Sequence, residues 1–567
     1  MGAYVTTDAN DAFSVSGDYG CNAGQQLYLY ARGGNAGAGA NAAIGMMAVL
    51  GDCSSTSAPA VYAKVNEAST VAATYALAGF ATDATHVSSS GTALAQVGIT
   101  NAFASAANLV TLAAGTTLMM TPAGNGAVPQ AEINTLANIL AGCSGLESEC
   151  SALFALATAD GTATGAQPMD TATAAINIAH HPGANVAALY ALLPTMLRFT
   201  SGLTTAPNDW TVALGFTGAG ALHSSFVAID GSGNVWIANY CGNTIVCRVS
   251  EFSPSGAPLS PAAGYTGGGM SQFMSGIAID LLGDAWIVTN MATGPITELS
   301  PSGAILSGPA GITGGGIAYP YGIAINGSGN VWVTNTGGLG LCGPNAAGYS
   351  NAGNVSELSS SGTPISGDGF ACTYFYSPSG IAIDADSNVW VTNQMGNTIT
   401  KLNNSGSPVS PFVGYTGRGL KFPTSIAIDA GGNAWIGNFG GTSITELSST
   451  GQAVSPSAGF TGGGLSQPQE LAVDGAGNVW VASFLSLGAT GEGRIATFSA
   501  MGAAVSPSTG YAATGMLDPG SIAIDPSGSV WAPDILGTRV WEFVGAATPV
   551  VTPLAVGVKN NMLGTRP

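Results

Sequence analysis

The stretch "IAIDADSNVWVTN", residues 381–393, decides the fold. Two short runs rich in β-branched and aromatic residues flank a polar turn, the pattern of a β-hairpin. Six further versions follow the same plan: "VAIDGSGNVWIAN", "IAIDLLGDAWIVTN", "IAINGSGNVWVTN", "IAIDAGGNAWIGN", "LAVDGAGNVWVAS" and "IAIDPSGSVWAPD". In each, a Trp stands six residues after the Asp or Asn that ends the first run. The pairs are Asp230 with Trp236, Asp280 with Trp286, Asn326 with Trp332, Asp384 with Trp390, Asp429 with Trp435, Asp474 with Trp480 and Asp525 with Trp531. Spacing between successive Trp runs from 45 residues (Trp390 to Trp435) to 58 (Trp332 to Trp390).

A repeat of this length with four strand-like runs per unit is the signature of a β-propeller. The expected class is mainly β: a seven-bladed β-propeller over 210–545, with an N-terminal α-helical domain over 36–200 preceded by a short β remnant over 1–35. A linker at 201–209 and a C-terminal tail at 546–567 complete the layout. The Asp of each unit is expected to hold its own turn backbone, and the Trp to pack between neighbouring blades. Calcium ligation by these Asp is disfavoured, because no "DxDxDG" loop is present. The seventh unit lacks a following "GYTGGG" phrase, and an orphan copy, "WTVALGFTGAG", stands at 210–220. The N-terminal segment is therefore expected to supply the last blade's outer strand and remove an open edge.

The quoted phrases resemble NHL-repeat propellers, and most closely their streptogramin-lyase-like branch. The resemblance covers about 206–545 and implies the fold. In those lyases it implies a His and Glu constellation with magnesium near the channel mouth. Here the propeller region has only His223, before the first strand, so no catalytic residue is carried over. The opening "DAFSVSGDYGC" looks like the tail of a carboxypeptidase-regulatory-type β-sandwich. The two-part layout resembles exported bacterial NHL-repeat proteins.

Composition narrows the function classes. The net charge is −19, with 11 Lys and Arg. A nucleic-acid partner is excluded, since phosphate recognition needs a basic stripe. No run is long and apolar enough for a transmembrane helix, and no signal peptide is visible in this chain. The opening reads as a truncated or processed terminus. Eight Cys fall as sequence neighbours: Cys21 and Cys53, Cys143 and Cys150, Cys241 and Cys247, Cys342 and Cys372. They are disulfide candidates and point to an oxidising compartment, secreted or at the cell surface.

Between 36 and 200 the expected helices lie in "ANAAIGMMAVLG", "VYAKVNEASTVAATYALAGFA", "AFASAANLVTLAAG", "PQAEINTLANILAGC", "SALFALAT" and "MDTATAAINIAHHPGANVAALYALL". The last breaks at Pro182-Gly183. The adjacent His180 and His181 make a poor chelate, because neighbours on a helix point about 100° apart. Asn66, Glu67 and Thr70 are expected to form a satisfied buried network.

Two groups are candidate ligand-binding residues. One is the polar set ending the second strands: Asn239, Asn290, Asn335, Asn393, Asn438, Ser483 and Asp534. The alternative role for it is to cap strand ends. The other is Tyr374, Phe375 and Tyr376, with Phe370, beside the long loop of the third unit. The expected function is a cell-surface binding or scaffold protein that holds a polysaccharide or protein ligand on one propeller face. The first alternative is a lyase or hydrolase with a divalent cation, Mg or Ca, at the channel mouth. The second is a self-assembling surface protein. No catalytic residue, cofactor or metal ligand is assigned.

Overall fold

The computed structural model describes residues 5–8, 11–15, 22, 24–35, 39–53, 62–145, 147–241, 247–337, 353–370, 375–484 and 493–567. The chain is mainly β, built from many small antiparallel sheets.

Each copy of the repeated phrase forms one sheet. In the fourth copy, Pro378–Ile383, Val389–Asn393 and Thr398–Leu402 pair in that order. Seven such sheets occur among the described residues. Each first strand lies beside the next sheet's first strand, and the seventh lies beside the first, so the sheets close a ring. A fourth strand was expected in every unit. Six sheets instead carry isolated bridges there, such as Ile399 to Tyr415 and Leu402 to Pro408. The Pro- and Gly-rich segment cannot sustain a continuous ladder.

The fixed Asp-to-Trp spacing has a direct cause. Asp384 Oδ1 accepts the N–H groups of Asp386 and Asn388 at 3.1 and 2.8 Å. Its Oδ2 accepts the Trp390 indole N–H at 3.0 Å. One carboxylate thus ties the turn to the second strand. Sheet three carries Asn326 instead, and Trp332 Nε1 is buried without a partner. All seven Trp are buried. Six stack or tilt against an aromatic ring, as Trp332 does on Phe370 at 5.2 Å.

Ring closure follows the expected route. Ala213–Phe216 pairs with Val540–Phe543 of sheet seven. Its other edge pairs with Gly126–Ala127 from the helical region, giving a five-stranded sheet. The Tyr75 hydroxyl donates to the Trp210 carbonyl at 2.8 Å, and Asn208 Nδ2 donates to the Gly510 carbonyl. The segment read as a linker is therefore docked at its end.

The helical region contains α1 (Glu67–Leu77), α2 (Ala93–Ala106), α3 (Gln130–Gly145), α4 (Glu147–Leu156), α5 (Thr171–His180) and α6 (Val186–Tyr190). Every residue of α1 is buried, because Ala, Ser and Thr let neighbours approach on all sides. Asn66 caps it in a reciprocal capping box with Ser69. Thr70 donates to the Asn66 carbonyl, and Arg198 pairs with the buried Glu67 at 2.6 Å, as the expected network requires.

Two helical expectations are corrected. Gly45–Asp52, "GMMAVLGD", is a strand paired with Gln26–Arg32. An eight-residue apolar run does not separate a helix from a buried strand by periodicity. Here Met47 packs among Ala73, Leu77, Phe103 and Ile176 in the same cluster, and pairing satisfies the backbone. The β segment therefore extends past residue 35 into the region read as helical. Likewise Val110–Thr111 pairs with Thr116–Thr117 where a helix was expected.

Candidate functional site

The ring leaves a central channel enclosing about 250 Å³. The first strands line it, and their alanines at the fifth position form one circle: Ala228, Ala278, Ala324, Ala382, Ala427, Ala472 and Ala523. The C-terminal segment closes the end that carries the Asp turns. Thr552 donates to the Asp230 carbonyl at 2.8 Å, and Gly475 N–H to the Thr548 carbonyl at 3.2 Å. Leu554, Ala555 and Val558 of α7 (Leu554–Lys559) face the lumen. The residues read as a tail are the channel floor.

The opposite end is the mouth, where first strands begin and second strands end. The polar residues there, candidates for ligand binding or for strand-end capping, turn inward. Asn393 Nδ2 donates to Thr398 and Thr400 Oγ1 at 3.0 and 2.9 Å, and its Oδ1 accepts the Tyr376 N–H. Asn239, Asn335 and Asn438 repeat this clasp. Ser483 accepts the Ser466 N–H, and Asp534 accepts those of Leu517, Asp518 and Gly537. These six are at most 1% exposed and hold the loop that leads into each first strand. Asn290 is part-buried, and its backbone N–H donates to the Phe273 carbonyl. The reason is geometric: a strand end needs its neighbouring loop anchored, and the amide supplies both donor and acceptor.

The expected aromatic patch is redrawn. Phe375 is 3% exposed and packs in the core cluster with Trp390. Phe370 stacks on Trp332. Tyr376 is half-buried at the mouth, and Tyr374 lies outside the described residues.

A different arc of rings borders the mouth. Tyr240 lies against Phe273 at 5.7 Å, Phe422 against Phe439 at 6.4 Å, and Phe439 against Phe484 at 6.2 Å. Tyr319 stands between these groups in chain order. Tyr240, Phe273 and Tyr319 are each about two-fifths exposed: 39%, 40% and 39%. Tyr319 and Phe422 adopt left-handed backbones, φ 49° and 52°. His223, Ser377 and Gln467 are left-handed at the same position of their units, so the repeat itself sets this conformation.

Inside the channel Phe226, Tyr321 and Glu470 break the column of small residues, and two of them are polar. Glu470 stands where Gly276, Gly322 and Gly380 stand in other sheets, and Tyr321 where Ser275 and Ser379 do. Burial raises the Glu470 carboxyl to about 7, against the Leu471 N–H, which lowers it. Burial and then the Glu470 charge raise the Tyr321 phenol. Glu470 can therefore exchange a proton near neutrality in apolar surroundings. The signal for both was in the sequence: "PQELAVD" and "PYGIAIN" depart from the column of small residues.

The cysteine pairs Cys143–Cys150 and Cys241–Cys247 form disulfides, and Cys53 is disulfide-bonded. Cys21, Cys342 and Cys372 lie outside the described residues. His180 Nε2 bonds the Ala78 carbonyl and His181 Nε2 the Ala159 carbonyl, so the two rings serve different carbonyls. His223 Nδ1 bonds the Ile535 carbonyl at 2.9 Å. Among the described residues no helix is long and apolar enough to cross a membrane.

No family model matches the chain, and no curated protein matches it. Solved structures do. A streptogramin B lyase structure is 18% identical, covers 58% of this chain and 96% of its own, and has a TM-score of 0.41. A catalytically inactive virginiamycin B lyase from Staphylococcus aureus with quinupristin is 17% identical over 57% of this chain and 94% of its own, TM-score 0.38. A gluconolactonase from Xanthomonas campestris is 16% identical over 59% and 89%, TM-score 0.32.

Proposed function

We propose that the ring is a seven-bladed NHL-type propeller of an exported protein, and that its open mouth binds a polysaccharide. The observation that carries this reading is the aromatic arc of Tyr240, Phe273, Tyr319, Phe422, Phe439 and Phe484. Sugar rings present apolar faces that stack on aromatic side chains, and a row of spaced rings suits an extended chain. The floor closed by the C-terminal segment directs any ligand to the mouth. The disulfides support an oxidising compartment. The helical region serves as the part that docks on sheet seven.

A second reading, a lyase or hydrolase, is favoured by Glu470. A carboxyl near pKa 7 lining the channel can serve as general acid or base for a ligand that enters it.

One experiment separates them. The full chain is run in affinity electrophoresis through gels containing a panel of polysaccharides, and each mixture is checked for new products. Retardation by one polymer, reduced at least about tenfold in affinity by Tyr319→Ala with Phe422→Ala, supports binding; aromatic contacts of this kind are worth roughly 1 kcal/mol or more each. Mobility unchanged across the panel removes the polysaccharide reading. A product lost in Glu470→Gln moves the assignment to the enzyme.

A further inference from the structure

In every sheet of the ring, the first-strand Ala, the Trp and a third-strand residue lie in one row. In sheet two the row is Ala278, Trp286 and Glu298. The turn Asp sits beside it, and the residue four positions after that Asp completes the group. In sheets one, four, five and six this residue is Asn. Asn234, Asn388, Asn433 and Asn478 each donate Nδ2 to the turn carboxylate at 2.9 to 3.0 Å. In sheet three Asn330 donates to Glu357 at 2.8 Å, and in sheet seven Ser529 donates to Glu542 at 2.8 Å. Six sheets therefore place a hydrogen-bond donor among their carboxylates.

Sheet two places Asp284 there. Its side chain receives no hydrogen bond among the described residues, although the residue is 7% exposed. Glu298, 9% exposed, receives none on its carboxylate either. In sheet one the equivalent Glu251 accepts the Tyr265 hydroxyl at 2.8 Å. Sheet two has Ile312 at the Tyr265 position, so that donor is missing too. None of the ion pairs among the described residues involves Asp280, Asp284 or Glu298. Two residues of low exposure thus bring carboxylates without a hydrogen-bond donor or an ion pair against a third. Crowding three carboxylates with no donor between them is unfavourable, and a bound cation is one way to relieve it.

The geometry suits an ion. One oxygen from each of Asp280, Asp284 and Glu298 lies within 4.8 Å of the other two. Calcium–oxygen distances of about 2.3–2.6 Å allow two ligands of one ion to stand up to about 4.6–5.2 Å apart. Separations within that bound are compatible with one shared cation. Asp280 is already fixed: its Oδ1 accepts the Leu282 and Asp284 N–H groups, and its Oδ2 the Trp286 indole at 3.2 Å. An all-carboxylate set selects a hard divalent ion over a thiophilic one.

We propose that Asp280, Asp284 and Glu298 form a binding site for a hard divalent cation of the calcium type, which takes the place of the donor present in the other six sheets. The cation ties the turn of sheet two to its third strand. It lies away from the channel mouth and does not depend on the polysaccharide reading.

The test uses the full chain, stripped with chelator and then titrated separately with Ca²⁺, Mn²⁺ and Mg²⁺. Melting temperature and Tb³⁺ luminescence excited through tryptophan are read together, since Trp286 touches Asp280. The comparison variant is Asp284→Asn, which installs the residue that sheets one, four, five and six already carry and so keeps a foldable turn. The expected result is a rise of about 2 to 4 °C in wild type at saturating cation. Sensitised Tb³⁺ emission and one retained ion per chain after dialysis accompany it, and all three are lost in Asp284→Asn. No response of the wild type to any of the three ions overturns the proposal. So does a response that survives Asp284→Asn unchanged, because the ion then binds elsewhere.

Discussion

Sheets two and four share one frame and fill it with opposite chemistry. In sheet four the third-strand residue is Lys401. Its Nζ lies 3.0 Å from Asp384 Oδ2, donates to the Ser449 carbonyl at 2.9 Å, and sits 4.4 Å from the centre of the Trp390 ring. Asn388 donates to both Asp384 oxygens at 3.0 Å. Burial alone raises the Asp384 pKa, yet the bonds from Trp390, Asn388 and Lys401 bring it below its ordinary value. In sheet two three acids meet, and burial raises the Asp284 and Glu298 carboxyls, Glu298 to about 7. The backbone register of the two sheets is nevertheless alike. The turn Asp and the Trp set the frame, and the two remaining side chains are free to vary in charge.

The contrast can be broken first at Lys401. Lys401→Met keeps the aliphatic stem and removes the charge, leaving Asp384 buried without its cation. A loss of about 3–5 kcal/mol in denaturant unfolding is expected, as for other broken buried pairs. A loss below about 1 kcal/mol would show that Asn388 and Trp390 suffice alone.

A smaller effect tests whether sheet two's chemistry can be moved. Asn433→Asp in sheet five places a third acid beside Asp429 and Glu446 and removes one donor bond. Loss of about 1–3 kcal/mol is expected in chelator, with recovery on adding Ca²⁺. Recovery absent from Asn433→Asp but present in wild-type sheet two would show that the site needs more than its three acids.

The pH profile supplies a further test. Burial raises Glu470 to about 7; burial and then Asp534 raise Asp518 to about 7; burial and then Asp525 raise Glu542 to about 8. In each case the folded pKa exceeds the unfolded one, so the folded chain binds more protons between about 4 and 8. Stability should therefore be fully present near pH 4 to 5, decline as pH rises through 7 to 8, and level off above. Melting temperatures across that range check it, and Glu470→Gln should flatten part of the slope. A melting temperature that climbs from pH 5 to 8 contradicts the assignment.

Much of this was legible because the repeat is its own alignment. The Asp-to-Trp interval encodes a single carboxylate that bonds turn and indole together. The orphan "WTVALGF" encodes the closing strand, since an edge of sheet seven needed a partner. The candidate site was less legible. Asn239 and its counterparts allow two readings in sequence, mouth ligands or strand-end caps, and the loop N–H groups they anchor draw their side chains inward. Phe375 sits among exposed-looking neighbours in sequence, yet packs into the core because sheet four needs a ring there. Tyr319 and Phe422 carry no motif, and only the fold brings them to one rim. Gly45–Asp52 and Gly126–Ala127 are too short for periodicity to identify.

The closing strand sets an order of assembly. Gly215 and Arg539, joined by a hydrogen bond, lie 324 residues apart in the chain. During synthesis Ala213–Phe216 emerges long before Val540–Phe543 exists to cover it. Gly126–Ala127 is already outside by then and can occupy one of its two edges. The pairing of Gly126–Ala127 with Ala213–Phe216 would cover one edge of that strand until the last sheet arrives. Closure of so distant a contact is slow, and a strand with both edges exposed for that interval would invite pairing with neighbouring chains. Loss of the N-terminal region should therefore be felt during folding, as reduced yield, before it is felt in the finished ring.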